Sequence, residues 1–312
     1  MTPSGGDGLF ETFLGEERAR VDRALGSAVE RLLPVLPAVL RAPIRQGVLV
    51  GGKRVRPILC VAAYRACREG GLRNDPEPDD AGIHALAISV ELIHAYSLMH
   101  DDLPCMDDAP LRRGRPTPHT LFGEGPTMVA GVALIPAAAL HAWEAAERLG
   151  IDIERRREIV RVLCDAAGSA GMVGGQGLDL LGEGRRLVRT ELDELHGMKT
   201  GALLTAALVI GGIAAEAPPG VGAALERYGR AIGLAFQVAD DVLDATASAE
   251  TLGKQPSDME LEKSTYVSLL GVTAARAEAD RQTRRARSAL EDAGIRSAAL
   301  QGLADYVVYR DR

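Results

Sequence analysis

Between residues 12 and 309 one pattern dominates the chain. Apolar residues recur every three or four positions, and no stretch alternates apolar and polar as a half-buried strand would. That periodicity confines the chain to helices packed on helices. Only 4% of residues are aromatic, whereas alanine and leucine are plentiful, which favours helix over strand. Helices are expected near 12–33, 57–69, 80–102, 127–149, 153–175, 190–214, 221–245, 273–292 and 295–309. GGLRNDPEPDD at 70–80, APLRRGRPTPH at 109–119 and APPG at 217–220 break them apart. No repeat, low-complexity block or long linker divides the 312 residues, so the expectation is one all-α domain over 1–312, a single helical bundle.

The net charge of -7 gives no basic surface, which argues against a nucleic-acid partner. The first 25 residues lack a basic stretch followed by an apolar run, so a signal peptide is not expected. Two charge-free segments, 125–143 and 200–215, are rich in Ala and Gly and at or below spanning length. They are expected to be buried core helices, with no membrane span. Cys60, Cys67, Cys105 and Cys164 form no CxxC pair, so neither disulfide nor zinc is expected, and the expected location is cytoplasmic.

Two acidic clusters carry the chemistry. HDDLPCMDDAPLRRG, His100 to Gly114, crowds four aspartates into eight residues and follows them with Arg112 and Arg113. Such a cluster repels itself unless a cation sits among it. Upstream, Ile83, Ala87, Val90, His94, Ser97 and Asp101 share one helix face that runs from apolar to carboxylate. Pro104 disfavours helical geometry at Leu103, so Asp107 is expected to fold back toward Asp101 and Asp102. In FQVADDVLD, Gln237, Asp240, Asp241 and Asp244 stand at i, i+3, i+4 and i+7, with Ile232, Phe236, Ala239 and Leu243 as an apolar stripe on another face. Oxygen ligands without His or Cys suit Mg2+, which keeps several waters and bridges to substrate phosphates. A lone DDxxD reads as a solvated helix face; two of them, each ending an apolar helix, do not.

These segments resemble the two aspartate-rich motifs of the trans-isoprenyl diphosphate synthases (polyprenyl synthetases), especially the bacterial farnesyl diphosphate synthase branch. The likeness extends through GGKRVRP (51–57), IHAYSLMHDD (93–102), GGQGLDL (174–180), HGMKTGAL (196–203), LGK (252–254), KSTY (263–266) and LADYVVYR (303–310). The resemblance implies an isoprenoid-synthase bundle around a central active-site cavity. It implies Mg2+-dependent head-to-tail condensation of isopentenyl diphosphate with dimethylallyl or geranyl diphosphate, by ionisation, condensation and elimination, in a homodimer.

The chain holds 32 arginines but four lysines, Lys53, Lys199, Lys254 and Lys263, and each falls in one of these motifs. An ammonium binds phosphate as a point charge, a guanidinium as a planar fork. By resemblance, Lys53, Arg56, His94 and Arg113 would hold isopentenyl diphosphate, and Arg112, Lys199, Lys254 and Lys263 the allylic diphosphate. Asp101, Asp102, Asp107, Asp240 and Asp244 would bind Mg2+, about three ions with bound diphosphate. His94 has a plainer reading as a hydrogen-bonded core histidine. His84, His100, His119, His141 and His196 form no metal-ligand constellation and read as structural or surface residues. Gly201 permits a distortion that would turn the Lys199 carbonyl, the Thr200 hydroxyl and the Gln237 amide toward an allylic cation. Tyr96 and Ser97, five and four residues before Asp101, are implied to set chain length. The bulk of Tyr96, about 7.5 Å down the axis, would stop growth near farnesyl.

The sequence departs from the family in two places. Ala109 and Pro110 follow DDLPCMDD where relatives are acidic, and Val132 in AGVAL replaces the family's common aspartate, removing a carboxylate from a central helix. A geranylgeranyl or geranyl product, or a non-catalytic regulatory homologue, are the alternatives. A terpene cyclase would use an aromatic-lined pocket, and this chain has four Phe, six Tyr and one Trp.

Overall fold

The computed structural model describes residues 5–69, 80–246 and 264–309. Fourteen helices are found among them: α1 (Gly5–Leu32), α2 (Ala38–Leu49), α3 (Val55–Glu69), α4 (Asp80–Asp101), α5 (Pro118–Phe122), α6 (Glu124–Arg148), α7 (Ile153–Ala167), α8 (Met172–Gly182), α9 (Arg189–His196), α10 (Ala202–Ala214), α11 (Pro219–Thr246), α12 (Tyr266–Leu270), α13 (Val272–Asp292) and α14 (Ala298–Tyr309). The strand content described is one antiparallel pair, β1 (Leu111–Arg112) and β2 (Arg115–Pro116). The fold is all-α, as the periodicity requires.

Helix α10 is apolar on almost every side, with Leu203, Leu204, Ala207, Leu208 and Ile210 buried. A helix without a polar face belongs in the interior, and α10 packs against α3, α7 and α11. Around it a continuous apolar core joins Leu25 of α1, Leu59 of α3, Ile88 of α4, Leu134 of α6 and Tyr228 of α11. A second cluster, with Leu192, Leu195, Val238, Tyr266 and Ala275, holds α9, α11, α12 and α13 together beside the second acidic motif.

Buried charge ties α1 to this core. Glu17 receives hydrogen bonds from Arg65 (3.0 Å), Arg20 and His84 (2.8 Å). Burial alone would raise its pKa, but the His84 hydrogen bond and the Arg65 charge pull it down to about 2. Arg54, at the entrance to α3, bridges Glu91 (2.7 Å) and Asp22 (2.8 Å).

The structure differs from the periodicity in four places. Helix α2 forms through 38–49 despite Pro43 within it. The segment expected as one helix over 153–175 breaks after Ala167, and α8 starts at Met172. The expected helix 190–214 is interrupted by a π-helical turn at Gly197–Gly201. In α11 the buried side runs through Tyr228, Ile232, Ala235, Val238 and Val242, whereas Phe236, Ala239 and Leu243 are only half-buried. The stripe is offset by one residue because Ala and Val at 235, 238 and 242 suit burial as well as the side chains first chosen.

Three helical stretches, 81–101, 124–148 and 189–214, are long and apolar enough to cross a membrane. The first lies largely inside the bundle. The second, α6, buries only 33% of its most apolar stretch.

Candidate active site

The first acidic motif folds back as Pro104 requires. Helix α4 ends at Asp101, and the Asp107 amide donates to the Asp101 carbonyl at 2.9 Å. Three carboxylates therefore crowd one helix end. Burial raises the Asp101 carboxyl to about 6; Lys199 works against that shift, and Asp107 reinforces it. Asp102 differs from Asp101 in being paired. Its carboxylate is 2% exposed and accepts from Arg112 Nε at 2.7 and 3.0 Å, with Nη2 at 2.6 Å. A buried fork of this kind leaves little of Asp102 to offer an ion, so it holds Arg112 instead. Asp101 and Asp107 remain. Among the described residues no three His, Cys, Asp or Glu side chains form a ready-made metal cage.

A basic wall stands beside this motif. Arg113 follows Arg112 in the turn of the β1–β2 hairpin, and its guanidinium donates to the Gly51 carbonyl. That carbonyl belongs to the loop carrying Lys53, in which Gly52 adopts φ +144°. Glycine is needed there for the backbone, and the Arg113 guanidinium lies close against it. His94 faces the same wall. Burial, then Arg56, Arg113, Arg112 and Arg54, hold its pKa well below the usual imidazole value, so it is neutral at pH 7. Burial also lowers the Arg113 pKa; Glu91 offsets part of this, and Arg54, Arg112 and Arg18 add to it. Arg54 and Arg112 are paired with carboxylates, and cations gathered on one wall attract an anion.

The π-helical turn at Gly197–Gly201 joins the two motifs. Such turns occur often at functional sites because they re-aim side chains. Lys199 lies within electrostatic reach of Asp101 and donates to Asp179 of α8 at 2.5 Å. The next residue, Thr200, donates to Gln237 Oε1 of α11 at 3.3 Å. Two glycines let neighbouring helices approach this turn. A Cβ at Gly175 would lie 2.2 Å from the Lys199 backbone nitrogen, and one at Gly233 would lie 2.6 Å from the Gly201 Cα.

On α11, Gln237, Asp240 and Asp244 are half-buried, while Asp241 is 4% exposed. The spacing suggested three carboxylates displayed together. The structure displays Asp240 and Asp244 and turns Asp241 inward, because the buried stripe runs through Val238 and Val242. Asp241 accepts from Gln237 Nε2 at 3.0 Å and from the Tyr266 amide at 2.6 Å. Lys254 and Lys263 lie outside the described residues. Sequence reasoning passed over Asp179, Asp193 and Tyr266. Two of them stood in quoted motifs, GGQGLDL and KSTY, without a role, and helix spacing alone does not tell a buried carboxylate from a displayed one.

Tyr96 is 8% exposed, close enough to Asp101 for that carboxylate, after burial, to raise its pKa. Its ring meets His100 edge-on at 4.8 Å, and His100 is fixed by the Met128 carbonyl of α6 at 2.9 Å. Ser97 donates to the His94 carbonyl at 2.9 Å. Val132 is 50% exposed on α6, in line with Met128 and Leu140. A groove of about 970 Å3 opens between α7, α10 and α11, with Gly197 and Gly201 of the turn in its lining.

Known proteins are similar to this chain over most of its length. Farnesyl diphosphate synthase of Escherichia coli strain K12 is 41% identical over 278 residues, covering 86% of this chain and 88% of the relative. The chloroplastic geranylgeranyl pyrophosphate synthase of Catharanthus roseus is 40% identical over 305 residues, covering 97% and 82%. A crystal structure of geranyltransferase from Helicobacter pylori, complexed with magnesium and isoprenyl diphosphate, superposes with TM-score 0.77 at 28% identity, covering 98% and 97%. The polyprenyl synthetase family model matches residues 37–301. With acidic helix ends, a basic wall and a bridging turn already in place, that match assigns the chain to the polyprenyl synthetase family, as a prenyltransferase.

Proposed function

We propose that the chain is a Mg2+-dependent synthase that condenses isopentenyl diphosphate with dimethylallyl or geranyl diphosphate to give farnesyl diphosphate. The observation that carries this reading is the turn Gly197–Gly201, which sets Lys199 within reach of Asp101 and Thr200 on Gln237.

The donor set fits a hard divalent ion. Asp101, Asp107, Asp240 and Asp244 offer oxygen alone, and burial first, then Asp107, disfavours the charge on Asp101 that a cation would stabilise. The shortage of a protein-only cage suits Mg2+, which binds through one or two carboxylates plus substrate phosphates. The structure of the Helicobacter pylori relative contains magnesium and isoprenyl diphosphate. When bound, magnesium would neutralise charge on the departing diphosphate.

Arg112, held in place by Asp102, binds the allylic diphosphate with Lys199, Lys254 and Lys263. Lys53, Arg56, neutral His94 and Arg113 bind isopentenyl diphosphate. The Thr200 oxygen and the Gln237 amide face the allylic cation as its C–O bond breaks, and the double bond of isopentenyl diphosphate attacks it. The departing diphosphate takes the final proton, so no protein base is required. Tyr96, braced by His100, closes the floor.

The exposed apolar residues of α6, Met128 (48%), Val129 (46%), Val132 (50%) and Leu140 (63%), form a face that a second copy of the chain covers. Val132 in place of a carboxylate extends that face, which gives the substitution a plain role. Burial of the Cys60 and Cys67 thiols, which pushes them up to about 12 and about 11, suits a cytoplasmic protein with inert thiols.

The test is incubation with isopentenyl diphosphate, Mg2+ and each allylic primer, followed by product chromatography. A fifteen-carbon product supports the reading. A twenty-carbon product replaces it with geranylgeranyl synthesis, and no diphosphate release favours the regulatory homologue.

A further inference from the structure

A hydroxyl can turn either its proton or its lone pairs toward a neighbour. Beside a cation the difference is repulsion against attraction, so something must decide which way Thr200 points. The structure contains a chain of hydrogen bonds that does so. Asp241 accepts on both oxygens, Oδ2 from the Tyr266 amide at 2.6 Å and Oδ1 from Gln237 Nε2 at 3.0 Å. A carboxylate is an acceptor, so the Gln237 amide has one sense only, nitrogen toward Asp241 and oxygen toward Thr200. Gln237 Oε1 then receives the Thr200 hydroxyl proton at 3.3 Å. With its one proton engaged there, the Thr200 oxygen has only lone pairs left for the cavity.

The far end of the chain is fixed as well. Tyr266 is fully buried, and its hydroxyl donates to Asp193 at 2.5 Å. Asp193 lies on α9, one turn before Gly197. The hydrogen bonds therefore form a ring: α9 to Tyr266 of α12, to Asp241 and Gln237 of α11, and back to Thr200 in the turn that follows α9.

We propose that Asp241 is a positioning residue for prenyl transfer: through Gln237 it turns the Thr200 proton away from the allylic cation and leaves the oxygen facing it. The inference rests on the reading of Thr200 given under the proposed function.

A double-mutant cycle tests it, because a relay is non-additive whereas general loosening is not. Asp241→Asn keeps the shape but cannot accept from both Gln237 and Tyr266. The kcat and KM for isopentenyl and geranyl diphosphates with Mg2+ are measured in wild type, D241N, T200V and the double variant. D241N is expected to lower kcat by roughly tenfold to a hundredfold while KM changes less than about threefold. In the T200V background the same change should cost less than about threefold. An equal cost in both backgrounds, or an unchanged kcat in D241N, overturns the relay. Should D241N fail to melt cooperatively, Asp241→Ser, which likewise cannot accept from both partners, replaces it in the same cycle, with the same two outcomes. A wild-type protein with no prenyl transfer at all overturns the site assignment itself, and the inference with it.

Discussion

Single side chains decide what this site can do, and Tyr96 is the plainest case. It stands one and a half turns below Asp101, is held edge-on by His100, and is almost sealed from solvent. Tyr96→Ala should open the floor and shift the product to longer chains, read by chromatography; an unchanged length would remove Tyr96 from the floor. Glu17 gives a prediction about stability. Its folded pKa of about 2 lies below the ordinary 4.5. The stabilisation is therefore present above pH 4.5 and lost as pH falls toward 2, with a full size on the order of 3 kcal/mol. Thermal melts of wild type should lose stability through that window, whereas Glu17→Gln should start lower at neutral pH and lose less. Parallel curves would show that the Glu17 cluster contributes nothing.

At the scale of elements, the π-helical turn depends on close approach. A Cβ at residue 233 would lie 2.6 Å from the Gly201 Cα, and backbone cannot yield as a flexible side chain can. Gly233→Ala should therefore cost about 1–3 kcal/mol and lower kcat more than Tm alone explains, because Lys199 and Thr200 move together. Full activity with an unchanged melt would contradict that packing. Much of the element structure was legible beforehand. The α4 face from Ile83 to Asp101 turns from buried to half-exposed at His94, where its chemistry changes, and Gly201 marked the distortion between α9 and α10. What escaped did so for local reasons. No helix was expected over 38–49, yet α2 forms there with a buried Pro43 inside it, packed on α4 and α6, where tertiary contact outweighs propensity. GSAG at 168–171 ended α7 early, and small residues on both sides of α11 left its register ambiguous by one position. That one-residue offset is why Asp241 was grouped with the displayed carboxylates. The pairing of Asp102 escaped because no spacing rule foresees that Arg112, ten residues on, folds back onto it.

At the scale of the molecule, α6 presents an apolar face along much of its length, and a second copy is the occupant proposed for it. Sedimentation of wild type should give the mass of two chains. Val132→Glu with Leu140→Glu should give the mass of one, because two buried carboxylates without partners are costly. A monomeric wild type would contradict the dimer and leave the face to another surface, a membrane included. The central claim is that two acidic helix ends, 139 residues apart from Asp101 to Asp240, serve one bound diphosphate. The most direct test is calorimetry with an unreactive thiolo analogue of geranyl diphosphate and Mg2+, applied to wild type, Asp101→Asn and Asp240→Asn. Wild type should bind only with Mg2+ present, and each substitution alone should weaken that binding by at least about tenfold. If either variant binds the analogue as wild type does, the two motifs do not share a ligand, and the account is wrong.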